Sequence, residues 1–331
     1  MNIHKKRIGV IGVPNDQNVG NLLVKFSMFM KLKELGFEPI IISSTYRGRD
    51  INFLKRTVNL FEIKRTFNEV NQSNFDYLMV NSDQTWNNVN LEHLYDIGFL
   101  RFARKSNAKK FVYGASLAVD FWRYSKEFDK NASLLLKNFS GVSVREIGAV
   151  DIVYNHLGIK PLFVLDPTFL IDKKYYLNII KDHKIKFDFN SNYLFVYILD
   201  ENDLLKKYIE EAKKILNYKI FKVNLKERNY IENFIFGINI SNAVITDSFH
   251  GTVFSIIFNK PFLSVINSKR GKLRFSSLIE TFGLKNRINH LLNITKSDLK
   301  LLKTPLNINQ KILKFYKNLS INFLKKNLDI I

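Results

Sequence analysis

Short apolar runs alternate with amphipathic stretches along most of this chain, the pattern of a mostly parallel sheet with helical crossovers. In the first half the pattern predicts strands at Ile8–Val13, Pro39–Ser43, Tyr77–Val80, Phe111–Gly114, Gly141–Val144 and Leu162–Leu165. A helix is expected over Leu22–Leu35, closed by Gly36, because a glycine past the last periodic residue takes the left-handed conformation cheaply. Around Tyr175–Ser191 the sequence turns polar and reads as a linker or a connecting helix. A second series follows, with strands at Tyr193–Leu199, Lys219–Val223, Ala243–Thr246 and Phe262–Ile266, and helices over Asn202–Leu216 and Tyr230–Ile240. A length of 331 residues suits two domains of ordinary size. The expected architecture is therefore α/β: one Rossmann-like domain over residues 1–175, a second over 190–294, a cleft between them, and a helical tail over 295–331.

The most informative single stretch is Thr246-Asp247-Ser248-Phe249-His250-Gly251. It follows the apolar run Ala243-Val244-Ile245 and opens an apolar, helix-like segment from Thr252 to Phe258. A strand that ends in small polar residues and turns straight into a helix aims free backbone N–H groups at one spot, which attracts anions. In open α/β sheets the ligand crevice lies outside the carboxyl ends of the strands, where this turn falls. His250 adds a group able to donate a proton near neutral pH. A buried structural imidazole is the alternative.

Other strand ends carry chemistry too. In Asn81-Ser82-Asp83-Gln84-Thr85-Trp86-Asn87, Asp83 is able to accept hydrogen bonds from sugar hydroxyls and Trp86 to offer an apolar face to a sugar ring. A capped helix start with Trp86 in the core is the competing reading. Within Ser143-Val144-Arg145-Glu146, Arg145 suits bidentate binding of a carboxylate or phosphate; its alternative is an ion pair with Glu146 or a neighbouring carboxylate. Asp166-Pro167-Thr168 reads as a turn or helix-start device. Arg270-Gly271-Lys272-Leu273-Arg274-Phe275 gathers three cations and a glycine, fit for a dianion or simply a basic surface loop.

Several classes are argued against. The loop Pro14-Asn15-Asp16-Gln17-Asn18-Val19-Gly20-Asn21 stands where a phosphate-binding turn would, but it lacks G-x-G-x-x-G, and no G-x-x-x-x-G-K-[ST] occurs. Without Cys there is no disulfide, thiolate catalysis or cysteine-ligated zinc. His4, His93, His156, His183, His250 and His290 are scattered without metal-ligand spacing, so no metal is expected. Asp247, Ser248 and His250 lie too close in sequence for a catalytic triad. No run approaches the ~18 apolar residues of a spanning helix, and Met1–Arg7 leads into a strand too brief for a signal peptide; a cytoplasmic protein is expected.

The net charge of +21 raises nucleic acid as a partner. The lysines are scattered, however, and no Arg-rich arm or zinc finger appears, so no nucleic-acid partner is expected. Anionic small substrates or a membrane surface explain the sign as well. In the tail, Ile312, Phe315, Leu319 and Phe323 form one apolar stripe among many lysines. It either packs back on a domain or rests as a basic amphipathic helix on an anionic membrane.

Taken in order, these pieces resemble the polysaccharide pyruvyl transferase family. The resemblance is carried by the Asn81–Asn87 stretch, Tyr113-Gly114-Ala115-Ser116, Ser143-Val144-Arg145-Glu146, Leu165-Asp166-Pro167-Thr168, the Thr246–Gly251 stretch, Phe258-Asn259-Lys260-Pro261-Phe262, and Arg270 with Arg274-Phe275. It departs at Asn81, usually Gly in the family, and at Asn18-Val19-Gly20-Asn21, which follows the usual Asn-Tyr-Gly loosely. The resemblance implies a glycosyltransferase-B-like fold, with the acceptor on the N-terminal domain and the donor on the C-terminal one. It implies phosphoenolpyruvate as co-substrate, no other cofactor, and a cyclic pyruvate ketal across two hydroxyls of a cell-surface glycan or its lipid-linked precursor. His250 would then donate a proton or hold phosphate. Arg145 and Arg274 would clamp the donor's anionic groups, with Arg270, Ser248 and Gly251 beside them. Asp83 would contact the acceptor or act as base, alongside Gln84, Trp86, Asn87 and Asn18. The alternative is a nucleotide-sugar-dependent glycosyltransferase of the same fold.

Overall fold

A computed structural model describes residues 5–13, 18–43, 49–62, 68–71, 74–87, 91–185, 187–188, 190–266, 271–290 and 295–330. The chain forms two compact units, Met1–Ile171 with Lys314–Ile331, and Asp172–Leu313.

The first unit is built on strands β1 (Arg7–Ile11), β2 (Glu38–Ser43), β3 (Leu60–Glu62), β4 (Tyr77–Val80), β5 (Lys109–Ala115), β6 (Phe139–Val144) and β7 (Leu162–Phe163). Its helices are α1 (Val19–Glu34), α2 (Arg49–Thr57), α3 (Asn68–Asn71), α4 (Leu91–Gly98), α5 (Lys126–Leu136) and α6 (Ala149–Leu157). The strands pair in parallel in the order β3-β2-β1-β4-β5-β6-β7. From β1 the chain winds outward one way to β3, then returns to β4 and winds the other way. The reversal between β1 and β4 is the switch point at which open α/β sheets hold their ligands.

In the second unit the helices are α7 (Lys173–Ile179), α8 (Asp203–Leu216), α9 (Tyr230–Ile240), α10 (Phe249–Ile257) and α11 (Leu273–Phe282). The strands are β8 (Tyr193–Tyr197), β9 (Lys219–Lys222), β10 (Ala243–Thr246), β11 (Phe262–Ile266) and β12 (Ile288–His290). They are also parallel, ordered β12-β11-β10-β8-β9. Here the winding reverses between β8 and β10.

β4 and β8 are buried along their whole lengths, as strands covered on both faces must be, and so read as unbroken apolar runs. α8 shows how a covering helix is specified. Asn202 accepts from the Leu205 N–H at 2.9 Å to cap its start. Leu205, Ile209, Ala212 and Leu216 then fall on one buried face, packed with Leu194, Val196 and Ile245 of the sheet. Asn217 in the left-handed conformation ends it.

The last helix, α12 (Gln310–Asn327), runs into the first unit's final segment. The Ser320 hydroxyl accepts from the Leu165 N–H at 2.9 Å, and the Tyr77 hydroxyl donates to the Leu328 carbonyl at 3.2 Å. The expected apolar stripe is therefore split: Phe323 is buried, whereas Phe315 is 61% exposed. Among the described residues, no helix is long and apolar enough to cross a membrane.

Candidate functional site

Each unit gathers polar residues at its switch point. In the first, Asp83 follows β4 with φ +103°, a conformation a non-glycine residue holds only when its surroundings impose it. Its backbone carbonyl accepts from Ser116 N–H at 3.0 Å and Thr85 N–H at 2.6 Å. Its carboxylate is fixed as well: Oδ2 accepts from the Asn21 amide at 2.8 Å, and Oδ1 from Gln84 N–H at 2.9 Å and Arg145 Nη2 at 3.1 Å. Asn21 is held in turn by Lys25, whose Nζ donates to Asn21 Oδ1 and, at 2.9 Å, to the Val13 carbonyl.

Arg145 is fully buried and surrounded by carboxylates. Nη1 donates to Asp166 Oδ2 at 2.5 Å, and Nε lies 3.8 Å from Glu146 Oε1. Burial alone would push the guanidinium down from the ordinary arginine value, but Asp166, then Asp83 and Glu146, outweigh it and hold it above. The geometry thus gives Arg145 the protein carboxylates of its ion-pair reading. Asp166 also caps the short turn Pro167–Phe169 through the Thr168 N–H and hydroxyl.

Trp86 is corrected by the structure. Its indole is completely buried, stacked on Phe99 with centroids 5.2 Å apart, and donates from Nε1 to the Gly98 carbonyl at 2.8 Å. No face is left for a sugar ring. Gln84 and Asn87 are half-buried and joined to each other by a 2.6 Å bond from the Asn87 amide to Gln84 Oε1. Asn18 is the N-cap of α1, accepting from Gly20 and Asn21 N–H.

In the second unit, β10 ends at Thr246 beside the switch point. Thr246 Oγ1 donates to the Tyr197 carbonyl at 2.6 Å and accepts from Ser248 N–H at 3.0 Å. Asp247 accepts from Leu199 and Asp200 N–H at 2.7 and 3.0 Å, pinning the loop after β8. Ser248 caps α10, taking the Gly251 N–H at 3.3 Å, so the helix starts at Phe249 and not at Thr252. His250 occupies its first turn, buried, with its ring 5.1 Å from that of Phe249. The Arg274 guanidinium, from the first turn of α11, lies 5.4 Å from the same Phe249 ring. The structure thus sets His250 and Arg274 each against the Phe249 ring, in the helix start that Ser248 caps. Arg270 lies outside the described residues.

Gly251 has a packing reason of its own. A Cβ there would stand 2.2 Å from Thr246 Oγ1 and 2.9 Å from Thr246 Cβ, so only hydrogen lets α10 start this close to β10. Gly251→Ala is expected to cost about 1–3 kcal/mol in denaturant unfolding. An unchanged midpoint would show that helix and strand end are free to part.

Sequence reasoning placed Asn21 only in the loop after β1 and passed over Lys25, whereas both sit inside the apolar helix α1. Both are buried, and polar residues on the core face of a helix are the signal that marks them.

The fold and the paired switch-point clusters define a two-unit α/β protein of the glycosyltransferase-B-like class. A Rickettsia africae glycosyltransferase structure shares 15% identity with it at a TM-score of 0.57, covering 99% of this chain and 98% of that one. The Neisseria meningitidis UDP-GlcNAc 2-epimerase bound to UDP-GlcNAc shares 10% at 0.63, covering 97% and 100%. Anabaena HepE in complex with UDP and glucose shares 11% at 0.55, covering 99% and 98%. No curated protein matches the chain. The family model for polysaccharide pyruvyl transferase matches residues 18–269. The chain belongs to the polysaccharide pyruvyl transferase family.

Proposed function

We propose that this protein transfers the pyruvyl group of phosphoenolpyruvate onto two hydroxyls of a sugar, as a cyclic ketal, in a cell-surface polysaccharide or its lipid-linked precursor. One observation carries the reading: in a member of this family, an imidazole and a guanidinium are gathered on one aromatic ring at the second unit's switch point. The reaction needs those types. An acid protonates the methylene carbon of phosphoenolpyruvate, and the cationic centre formed at the adjacent carbon takes the first hydroxyl. The carbon–oxygen bond to phosphate then breaks, and the second hydroxyl closes the ring. Of the two hydroxyl protons released, one restores the acid and the other leaves with phosphate, so the balance closes.

His250 is assigned the proton donor or phosphate contact, and Arg274 the donor's carboxylate or phosphate. Ser248 and Arg270 stand with them as donor contacts, while Gly251 lets the turn approach. On the first unit Asp83 is the acceptor contact or base, with Gln84 and Asn87 beside it. Arg145 acts through Asp83 and is not a clamp.

Thermal unfolding with phosphoenolpyruvate, against UDP- and GDP-sugars at matched ionic strength, tests the donor. A ligand at a hundred times its Kd adds about 2.7 kcal/mol to stability. A rise with phosphoenolpyruvate that Arg274→Ala abolishes is the expected result. A rise with a nucleotide sugar alone would replace the ketal chemistry with glycosyl transfer.

A further inference from the structure

With Trp86 in the core, the Asn81–Asn87 stretch offers a sugar no indole face. The loop after β5 supplies an aromatic ring in its place. It leaves the sheet at its carboxyl end, where open α/β sheets hold their ligands, and it starts and finishes on the Asp83–Trp86 segment. At its start Ser116 N–H donates to the Asp83 carbonyl at 3.0 Å, and the Ser116 carbonyl accepts from Trp86 N–H at 3.2 Å. At its finish the Tyr124 hydroxyl donates to the Trp86 carbonyl at 3.4 Å, just before Ser125 caps α5. Between these anchors Phe121 is 38% exposed, and the Arg123 guanidinium lies over its ring, 4.3 Å from the centroid. The other exposed large apolar side chains among the described residues are Leu134, Tyr154, Leu162, Ile215, Ile312 and Phe315. They belong to helices or to the start of β7, and none stands in a loop that follows a strand's carboxyl end.

The loop is held by its other aromatic residues. The Trp122 indole stacks on the His156 ring with centroids 5.1 Å apart and donates from Nε1 to Asp129 at 2.6 Å. The Tyr124 ring stacks on Phe128 at 4.0 Å. Two of the loop's three rings thus pack on α5 and α6, and the third is left in water. Single exposed phenylalanines are common on protein surfaces; this one is set apart by its place at the ligand edge, its anchored loop and its guanidinium. The pair selects a chemistry. The face of an aromatic ring is electron-rich, so it attracts the C–H groups of a pyranose, which the neighbouring oxygens polarise. The guanidinium offers N–H donors to hydroxyls at the rim of such a ring, and Arg123 makes no hydrogen bond or ion pair among the described residues. We infer that Phe121 and Arg123 are specificity-determining residues for the acceptor: the apolar face of a neutral pyranose stacks on Phe121, and one of its hydroxyls accepts from Arg123. This rests on the reading of the first unit as the acceptor side, and it adds the ring that side recognises.

Saturation-transfer NMR on the full chain reads which ligand protons touch the protein, with methyl galactoside, methyl mannoside, methyl glucoside and uridine as probes. The expected result is saturation concentrated on one ring face of at least one glycoside. Phe121→Ala should weaken that binding about tenfold, Phe121→Tyr should keep it, and Arg123→Ala should weaken it. All three side chains replaced are exposed, so the variants should melt within about two degrees of wild type. The inference is overturned if no glycoside is saturated or if Phe121→Ala binds glycoside as wild type does. It is overturned too if uridine alone is held through Phe121, which would make the loop a base-stacking site. Binding that Asp83→Asn abolishes and Phe121→Ala leaves untouched removes this inference and keeps Asp83 as the acceptor contact. Phe121-dependent binding in a protein that phosphoenolpyruvate does not stabilise keeps this inference and removes the donor reading.

Discussion

His250→Ala is expected to lower turnover with phosphoenolpyruvate and acceptor by ~10²–10⁴-fold, the usual contribution of a positioned general acid. The change should not spread through the fold, because the turn is held by groups other than the imidazole. Ser248 caps the helix, Thr246 ties the strand end to Tyr197, and Gly251 packs against Thr246. Steady-state kinetics divides the two roles open to His250. Loss confined to kcat marks the proton donor, whereas a raised KM for phosphoenolpyruvate with little change in kcat marks a phosphate contact. Turnover within tenfold of wild type, in a variant with the wild-type melting temperature, would remove His250 from the chemistry.

Arg145→Met is expected to cost the first unit about 3–5 kcal/mol in denaturant unfolding, since removing one member of a buried ion cluster strands the others. Asp166, Asp83 and Glu146 would be left buried around an apolar side chain. Some of the damage would reach activity, because Arg145 is one of the groups that hold the Asp83 carboxylate in place. A guanidinium whose main task was gripping the donor would behave otherwise: its loss would raise the KM for phosphoenolpyruvate and leave stability within about 1 kcal/mol, as for an exposed pair. Chemical denaturation and donor titration of the same variant decide between them.

Much of the architecture is written in local pattern. β4, α9, β10 and β11 occupy the spans that apolar runs and helical periodicity predict, because strands buried on both faces leave an unmistakable composition. β3 and β12 escaped notice because each is three residues long, too short for any periodicity to register. What no local pattern holds is strand order. The switch points that place Asp83 and the Ser248–His250 turn depend on pairings of β1 with β4 and of β8 with β10, between segments far apart in the chain.

The site was legible to the same depth. The Thr246–Gly251 turn announced itself because strand, turn and helix are contiguous there. For Arg145 an ion pair stood beside the anion clamp as a reading, and local sequence could not choose, since its partners Asp166 and Asp83 lie 21 and 62 residues away. The two readings of Trp86, sugar platform or core, stayed open for the same reason: a motif shows that an indole is present, while burial against Phe99 is settled by packing.

The last helix sets an order of events on the ribosome. Most of the first unit precedes the second in the chain, yet Leu165, Ser140 and Tyr77 find partners in Ser320, Asn327 and Leu328. The second unit is one unbroken segment, Asp172–Leu313, complete in the nascent chain before those partners emerge. Domains made first generally fold first. Here the half translated earlier must wait for Lys314–Ile331 to be made before it has all its contacts.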